Sequence, residues 1–120
     1  MDISQKSIDT AKKLYGGIID FHQMDAHKLS FSNDSFDLIY GKSILHHLDF
    51  EIAMKEIQRV LRKGGVAFFY EPLRDNPLGK IARILTPKAR TKDELPLSRR
   101  QILWANSLFS SNSHIFLGLT

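Results

Sequence analysis

Phe36-Asp-Leu-Ile-Tyr-Gly41 and Gly64-Gly-Val-Ala-Phe-Phe-Tyr-Glu-Pro72 are two short apolar runs that flank a segment with a helical pattern. A strand, a crossover helix and a parallel strand have this appearance in a sequence. The first run ends in the small residue Gly41, and the second ends in the carboxylate of Glu71. Open α/β sheets bind their ligands at the carboxyl ends of parallel strands, so the pattern predicts a βαβ unit with a binding site at that edge.

Further short motifs accompany this unit in a fixed order, namely Asp2-Ile3-Ser4, Asp25-Ala26, Leu29-Ser30-Phe31, Leu45-His46-His47-Leu48 and Arg59-Val60-Leu61-Arg62-Lys63-Gly64-Gly65. Their order and spacing resemble the class I S-adenosylmethionine-dependent methyltransferases, in particular their type 11 group, over residues 2–72. In that family a first strand and a glycine-rich loop come before the position of Asp2, whereas this chain opens at Met1. The resemblance therefore implies a domain truncated at its N-terminus.

The resemblance also implies an α/β fold, namely a partial Rossmann-like, doubly wound, mostly parallel sheet with helices on both faces. We expect one partial methyltransferase domain over residues 1–120. Its cofactor-binding core would span residues 2–72, a basic helical segment on the substrate side would span residues 73–111, and a late strand would span residues 112–120.

Caps and breakers predict the individual elements, because Ser and Asp cap helices and paired glycines end them. The apolar run from Val66 to Tyr70 does not alternate with polar residues, which predicts a strand covered on both faces. The expected elements are a helix from Ser4 to Gly16, strands over 18–24 and 36–41, a helix from Asp49 to Gly64 with Arg62 and Lys63 in its last turn, a strand over 66–70, a helix over 76–87, a helix after Ser98 and a strand over 114–119.

The nucleoside half of the cofactor site falls, by resemblance, on Asp2, Ile3, Asp25 and Ala26. The carboxylate of Asp2 would accept hydrogen bonds from both ribose hydroxyls. Asp25 would accept from the adenine amino group, while the backbone amide of Ala26 reaches a ring nitrogen. The residues alone leave alternatives open: Asp2 as a carboxylate near a helix N-terminus, and Asp25 as an Asx turn.

The methionyl half of the site falls, again by resemblance, near Gly41 and His46. Gly41 would let the cofactor approach the backbone. His46 is the candidate catalytic residue, because a histidine can serve as a general base near neutral pH; the alternative is a histidine that contacts the cofactor or packs beneath it. Methyl transfer from a sulfonium depends mainly on orientation, so no dedicated base is required. His46 and His47 are adjacent and point in different directions, so we predict no metal site.

The composition is that of a globular domain, with 120 residues, 42% hydrophobic and 25% charged. The absence of cysteine excludes disulfides, and no signal-like or membrane-spanning run is visible, so we predict a cytoplasmic protein. The net charge of +4 is concentrated in residues 72–100, which carry eight Lys and Arg against three Asp and Glu. Aromatic residues are not interleaved with these charges, so we expect no specific nucleic-acid binding.

The sequence thus predicts a methyltransferase fragment that uses S-adenosyl-L-methionine and methylates a small-molecule or lipid acceptor. Two alternatives stay open. One is a nicotinamide-dependent Rossmann enzyme, which needs a glycine fingerprint of its own. The other is a non-catalytic Rossmann-like binding or partner module left after loss of the glycine-rich loop.

Overall fold

The computed structural model describes residues 1–71, 97–109 and 115–118. Its elements are α1 (Gln5–Tyr15), β1 (Phe36–Lys42), a 3₁₀ turn (Leu45–His47), α2 (Phe50–Val60), β2 (Leu61–Tyr70), α3 (Arg99–Leu108) and β3 (Ile115–Gly118). The strands form one parallel sheet in the order β1-β2-β3, which confirms a mixed α/β fold of the partial Rossmann-like kind. The predicted helix over 76–87 and most of the basic segment lie outside the described residues.

The βαβ unit that the sequence predicts is the centre of this fold. Asp49 caps α2 by accepting a hydrogen bond from the backbone N–H of Ile52 at 3.1 Å. The helix carries the chain from β1 to β2, which pair in parallel up to the partners Lys42 and Tyr70. The carboxyl ends of both strands therefore meet at one edge of the sheet.

The end of α2 differs from the prediction. The helix ends at Val60, and β2 begins at the next residue, so the placement of Arg62 and Lys63 in a last helical turn is wrong. Arg62 Nη1 instead donates to both carboxylate oxygens of Asp37 in β1, at 3.0 and 3.1 Å. Gly64, with φ of +77°, lies in a stretch where the strand pairing is irregular. The contact of the Arg62 guanidinium with Asp37 and the left-handed conformation of Gly64 favour an irregular start of β2 over another turn of α2.

The predicted strand over 18–24 is also wrong. This segment makes only an isolated parallel bridge between Asp2 and Gln23, and Ile18 is 85% exposed. A strand needs a neighbouring strand to satisfy its backbone and to cover its apolar side chains. The described part of the chain places no such ladder beside this segment, so its apolar residues alone do not make it a strand.

The hydrophobic core lies against one face of the sheet, beneath α2 and α3. On the opposite face, Leu38 and Tyr40 are more than half exposed, and the Tyr40 ring stacks on Phe68 at a centroid distance of 5.7 Å. Val66, Phe68 and Tyr70 are half-buried, so the predicted burial of β2 is complete on one face only. The buried core residues are Leu45, Phe50, Ala53, Met54, Ile57, Leu61, Ala67, Phe69, Leu97 and Ala105.

The capped helices follow the local signals in the sequence. Ser4 caps α1 through the N–H of Ser7, and Ser98 forms a reciprocal capping box with Gln101 at the start of α3. Within α1, the side chain of Ile8 is buried. Among the described residues, no helix has the length and apolar character needed to cross a bilayer.

Candidate functional site

A cleft of about 280 Å³ lies at the carboxyl end of β1. Three of the predicted site residues, Asp2, Ala26 and Gly41, line this cleft although they lie far apart in the sequence. The other three, Ile3, Asp25 and His46, are not among its lining residues. The apolar part of the lining includes Leu29, Ile39, Ile44, Leu45, Leu48, Ile57 and Phe69.

The carboxylate of Asp2 stands at the entrance to α1. Its Oδ1 accepts a hydrogen bond from the backbone N–H of Ser4 at 2.7 Å, and its backbone pairs with the segment around Gln23. Ile3 is 69% exposed, and its carbonyl accepts from Gln23 Nε2 at 3.0 Å. The turn therefore fixes the Asp2 carboxylate at the cleft while it leaves the Ile3 side chain in solvent.

Gly41 is required by packing. A Cβ added at this position would lie 2.4 Å from Cε1 and 2.5 Å from Cδ1 of Phe69, and 3.2 Å from Cγ2 of Ile44. Phe69 is only 3% exposed, so its ring has little room to move away. The space that a side chain at position 41 would need is filled by the Phe69 ring, which also forms part of the cleft. The approach of a cofactor to the Gly41 backbone stays a prediction.

Asp25 closes an Asx turn with His27. Its Oδ1 accepts from the backbone N–H of His27 at 2.9 Å and from His27 Nδ1–H at 2.7 Å. His27 Nε2 accepts in turn from the backbone N–H of Asp49 at 2.8 Å, which links the turn to the start of α2. The backbone hydrogen bond from His27, and then the one from its ring, lower the pKa of Asp25. A contact between Asp25 and the cofactor stays a prediction.

An ion pair on α2 holds the wall of the cleft that contains Leu29. Arg59 Nη2 donates to the carbonyl of Leu29 at 2.9 Å, and Nη1 donates to the carbonyl of Phe31 at 2.8 Å. Glu56 Oε2 accepts from the backbone N–H of Leu29 at 2.9 Å and from Arg59 at 2.9 Å. The hydrogen bond from Arg59 lowers the pKa of Glu56, so this carboxylate stays charged near neutral pH.

His46 is buried beside Glu71, the residue that directly follows β2. His46 Nδ1 and Glu71 Oε2 are 2.7 Å apart, and the two residues are 6% and 0% exposed. Sequence reasoning identified Glu71 only as the polar end of a strand and gave it no partner. The sequence feature that could have indicated a partner is a lone carboxylate directly after an apolar run. A carboxylate buried at such a position needs hydrogen-bond donors from the protein.

No group of three or more His, Cys, Asp or Glu side chains within the described ranges is arranged to hold a metal ion. A second cavity, of about 410 Å³, lies between the N-terminal ends of α2 and α3. Leu45 and Leu48 line both this cavity and the cleft at β1, so the loop that contains them separates the two spaces.

Comparison with known proteins gives consistent matches. A family model described as a methyltransferase domain matches residues 1–69. The chain is 31% identical to a demethylmenaquinone methyltransferase of Chlorobaculum parvum over 115 residues, which is 83% of this chain and 47% of that protein. It is 32% identical to the O-methyltransferase cnsE of Penicillium expansum over 111 residues, covering 82% of this chain and 40% of the relative. The chain spans less than half the length of these curated relatives.

Proposed function

This chain belongs to the methyltransferase domain family, and from that premise we propose that it forms the S-adenosylmethionine-binding part of a methyltransferase. The observation that carries the proposal is the meeting of Asp2, Ala26 and Gly41 around one cleft at the carboxyl end of β1. Open α/β folds bind nucleotide-like ligands at this edge. The non-catalytic alternative is not favoured, because the relatives described above are named for methyl transfer.

The lining of the cleft suits the nucleoside half of S-adenosylmethionine. A purine ring needs apolar surface, and a ribose diol needs closely spaced acceptor oxygens. Leu29, Ile39 and Ile57 supply the apolar surface, and Asp2 supplies the carboxylate. We assign the ribose hydroxyls to Asp2 and a ring nitrogen of adenine to the backbone amide of Ala26.

In this proposal the chain contributes binding and orientation. S-adenosylmethionine, when bound, supplies a methyl group activated on a sulfonium centre. Alignment of two bound reactants can lower a barrier by up to about 7–11 kcal/mol, so the chain needs no acid or base of its own. His46 is buried and held by Glu71, and its proposed role is to support the loop after β1 near the methionyl end of the site.

We further propose that the acceptor is a small molecule or a lipid. Two relatives carry the name demethylmenaquinone methyltransferase and one is named an O-methyltransferase, which supports an acceptor of low molecular mass. The cytoplasmic location and the absence of specific nucleic-acid binding stay predictions from the sequence.

Titration calorimetry with S-adenosylmethionine tests the donor site. The wild-type chain should bind the ligand saturably, and Asp2→Asn should weaken binding at least about ten-fold, since a hydrogen bond to a charged group contributes about 1.5–3 kcal/mol. Asp9→Asn is the matched control, because Asp9 is an exposed carboxylate on α1 outside the cleft lining. This control should bind as the wild type does.

Two results would refute the assignment. The first is no saturable binding by the wild type up to about 1 mM, which corresponds to only about 4 kcal/mol of binding free energy. The second is equal weakening by Asp2→Asn and Asp9→Asn, which would reflect a general loss of negative charge. Once donor binding is established, incubation with labelled donor and candidate quinols or phenols identifies the acceptor class by transfer of label.

A further inference from the structure

Glu71 makes an unusual set of contacts for a residue that directly follows a strand. Its carboxylate is fully buried. Oε1 accepts from the backbone N–H of Ile44 at 2.7 Å and from that of Leu45 at 2.9 Å. Oε2 lies 2.7 Å from Nδ1 of His46. The one side chain that follows β2 therefore holds three consecutive residues of the loop after β1.

A buried carboxylate is costly unless hydrogen bonds replace its hydration. The three donors around Glu71 provide these bonds, and they are of the charge-assisted kind. All three belong to the loop after β1, so the carboxylate and the loop depend on each other for their conformation.

The loop itself contains a strained residue. Ser43 has φ of +51°, in the left-handed region that non-glycine residues seldom adopt, and its N–H donates to the carbonyl of Tyr70 at 2.8 Å. Strain of this kind persists only where surrounding contacts fix the backbone. The contacts made by Tyr70 and Glu71, at the end of β2, supply that constraint.

We propose that Glu71 is a positioning residue of the methyl-donor site, which it shapes by fixing the loop from Ser43 to Leu48. This inference rests on the proposed function, because Ile44, Leu45 and Leu48 of this loop line the cleft assigned to the donor. The same carboxylate fixes His46 as the tautomer that carries its proton on Nδ1. A neutral imidazole in that form has its lone pair on Nε2.

Substitution by glutamine separates the two effects of the carboxylate. The amide oxygen of Glu71→Gln can still accept from Ile44 and Leu45, whereas its NH₂ group has to donate toward His46. His46 then has to accept on Nδ1 and carry its proton on Nε2. Glu71→Ala leaves the two backbone N–H groups and the imidazole without their buried acceptor.

The test combines nitrogen-15 NMR of the His46 ring with calorimetry of S-adenosylmethionine binding. We expect Glu71→Gln to move the ring proton from Nδ1 to Nε2 and to keep donor affinity within about three-fold. We expect Glu71→Ala to weaken donor binding at least about ten-fold. Met54→Ala is the control for a loss of stability alone, because Met54 is fully buried in the core and does not line the cleft. At a temperature where it is folded, this variant should bind as the wild type does.

Four results would contradict the positioning role of Glu71. The proposal is wrong if His46 carries its proton on Nε2 in the wild type, if Glu71→Gln leaves the tautomer unchanged, or if folded Glu71→Ala binds the donor normally. Equal weakening by Met54→Ala would also overturn it. If Glu71→Ala does not fold, the tautomer and affinity of Glu71→Gln still test the positioning role. The NMR measurement needs no ligand, so it tests the contact between Glu71 and His46 even if the wild type does not bind the donor. A failure of wild-type donor binding would refute the proposed function instead.

Discussion

Gly41→Ala should destabilise the chain through a steric conflict that the structure defines. The new methyl group would lie 2.4 Å from Cε1 of Phe69. Because Phe69 is a buried member of the core, relief of this contact has to push the ring against its neighbours or shift β1 away from β2. Overpacking of this kind costs about 1–3 kcal/mol. In domains of about 60–100 residues, each kcal/mol lowers the melting temperature by roughly 4–8 °C.

Urea unfolding followed by circular dichroism measures this loss, and a double-mutant cycle identifies its cause. Phe69→Leu removes the ring edge that the new methyl group meets, so Gly41→Ala should cost less in that background. A coupling free energy of at least about 1 kcal/mol is expected for residues in direct contact. Gly17→Ala is the matched control, because an added Cβ there meets nothing within 4 Å. It should be neutral or stabilising by up to about 1 kcal/mol.

The same substitution should also reduce donor affinity, since Phe69 lines the proposed donor cleft and its ring would be displaced. The packing account fails if Gly41→Ala has wild-type stability. It also fails if the cost is unchanged by Phe69→Leu, since the loss would then come from the glycine backbone and not from the ring.

Three further perturbations test the supports of the site. Asp49→Ala removes the cap of α2 and should cost about 1 kcal/mol in urea unfolding; an unchanged midpoint would contradict the cap. The Leu29 amide donates to the Glu56 carboxylate that Arg59 holds, so Arg59→Met should speed hydrogen exchange at this amide. Arg59→Lys should rescue little because lysine lacks the fork that spans two carbonyls, and full rescue would count against this contact. The pKa of Asp25 is depressed below its ordinary value of 3.8, so its contribution to stability is full above that pH and is lost as the pH falls through the depressed value. Asp25→Asn should therefore flatten the acid end of the stability curve, and an unchanged acid limb would exclude Asp25 as a source of that dependence.

The parts of the fold that could be predicted are those with local signals. Asp49 and Ser98 cap their helices because a side-chain oxygen satisfies an N–H only three residues away, which a sequence pattern can reveal. Strand formation over 18–24 depended instead on a partner strand, which no local pattern can supply. The end of α2 was misjudged for a related reason, because Arg62 is held by a carboxylate on the neighbouring strand.

The candidate site divides in the same way. The order of motifs predicted Asp2, Ala26 and Gly41 as site residues, and all three line one cleft in the structure. The same motifs also indicated Ile3 and Asp25, whose side chains the structure directs elsewhere, to solvent and to a local turn. A motif specifies which residues lie near a turn, whereas the local hydrogen bonds decide which of them face the cleft.

Glu71 and His46 show why the remaining step needs coordinates. A histidine in a loop and a glutamate after a strand are each ordinary, and their separation along the chain gives no reason to pair them. They meet because β1 and β2 are parallel neighbours, which places the loop after one strand beside the residue that follows the other. Because the pair is buried, the carboxylate needs hydrogen-bond donors from the protein in place of water. The backbone N–H groups of Ile44 and Leu45 are two of these donors. The crossover topology thus places a buried carboxylate next to this loop. Because the carboxylate needs the loop's donors, it fixes the conformation of the loop that lines the proposed donor site.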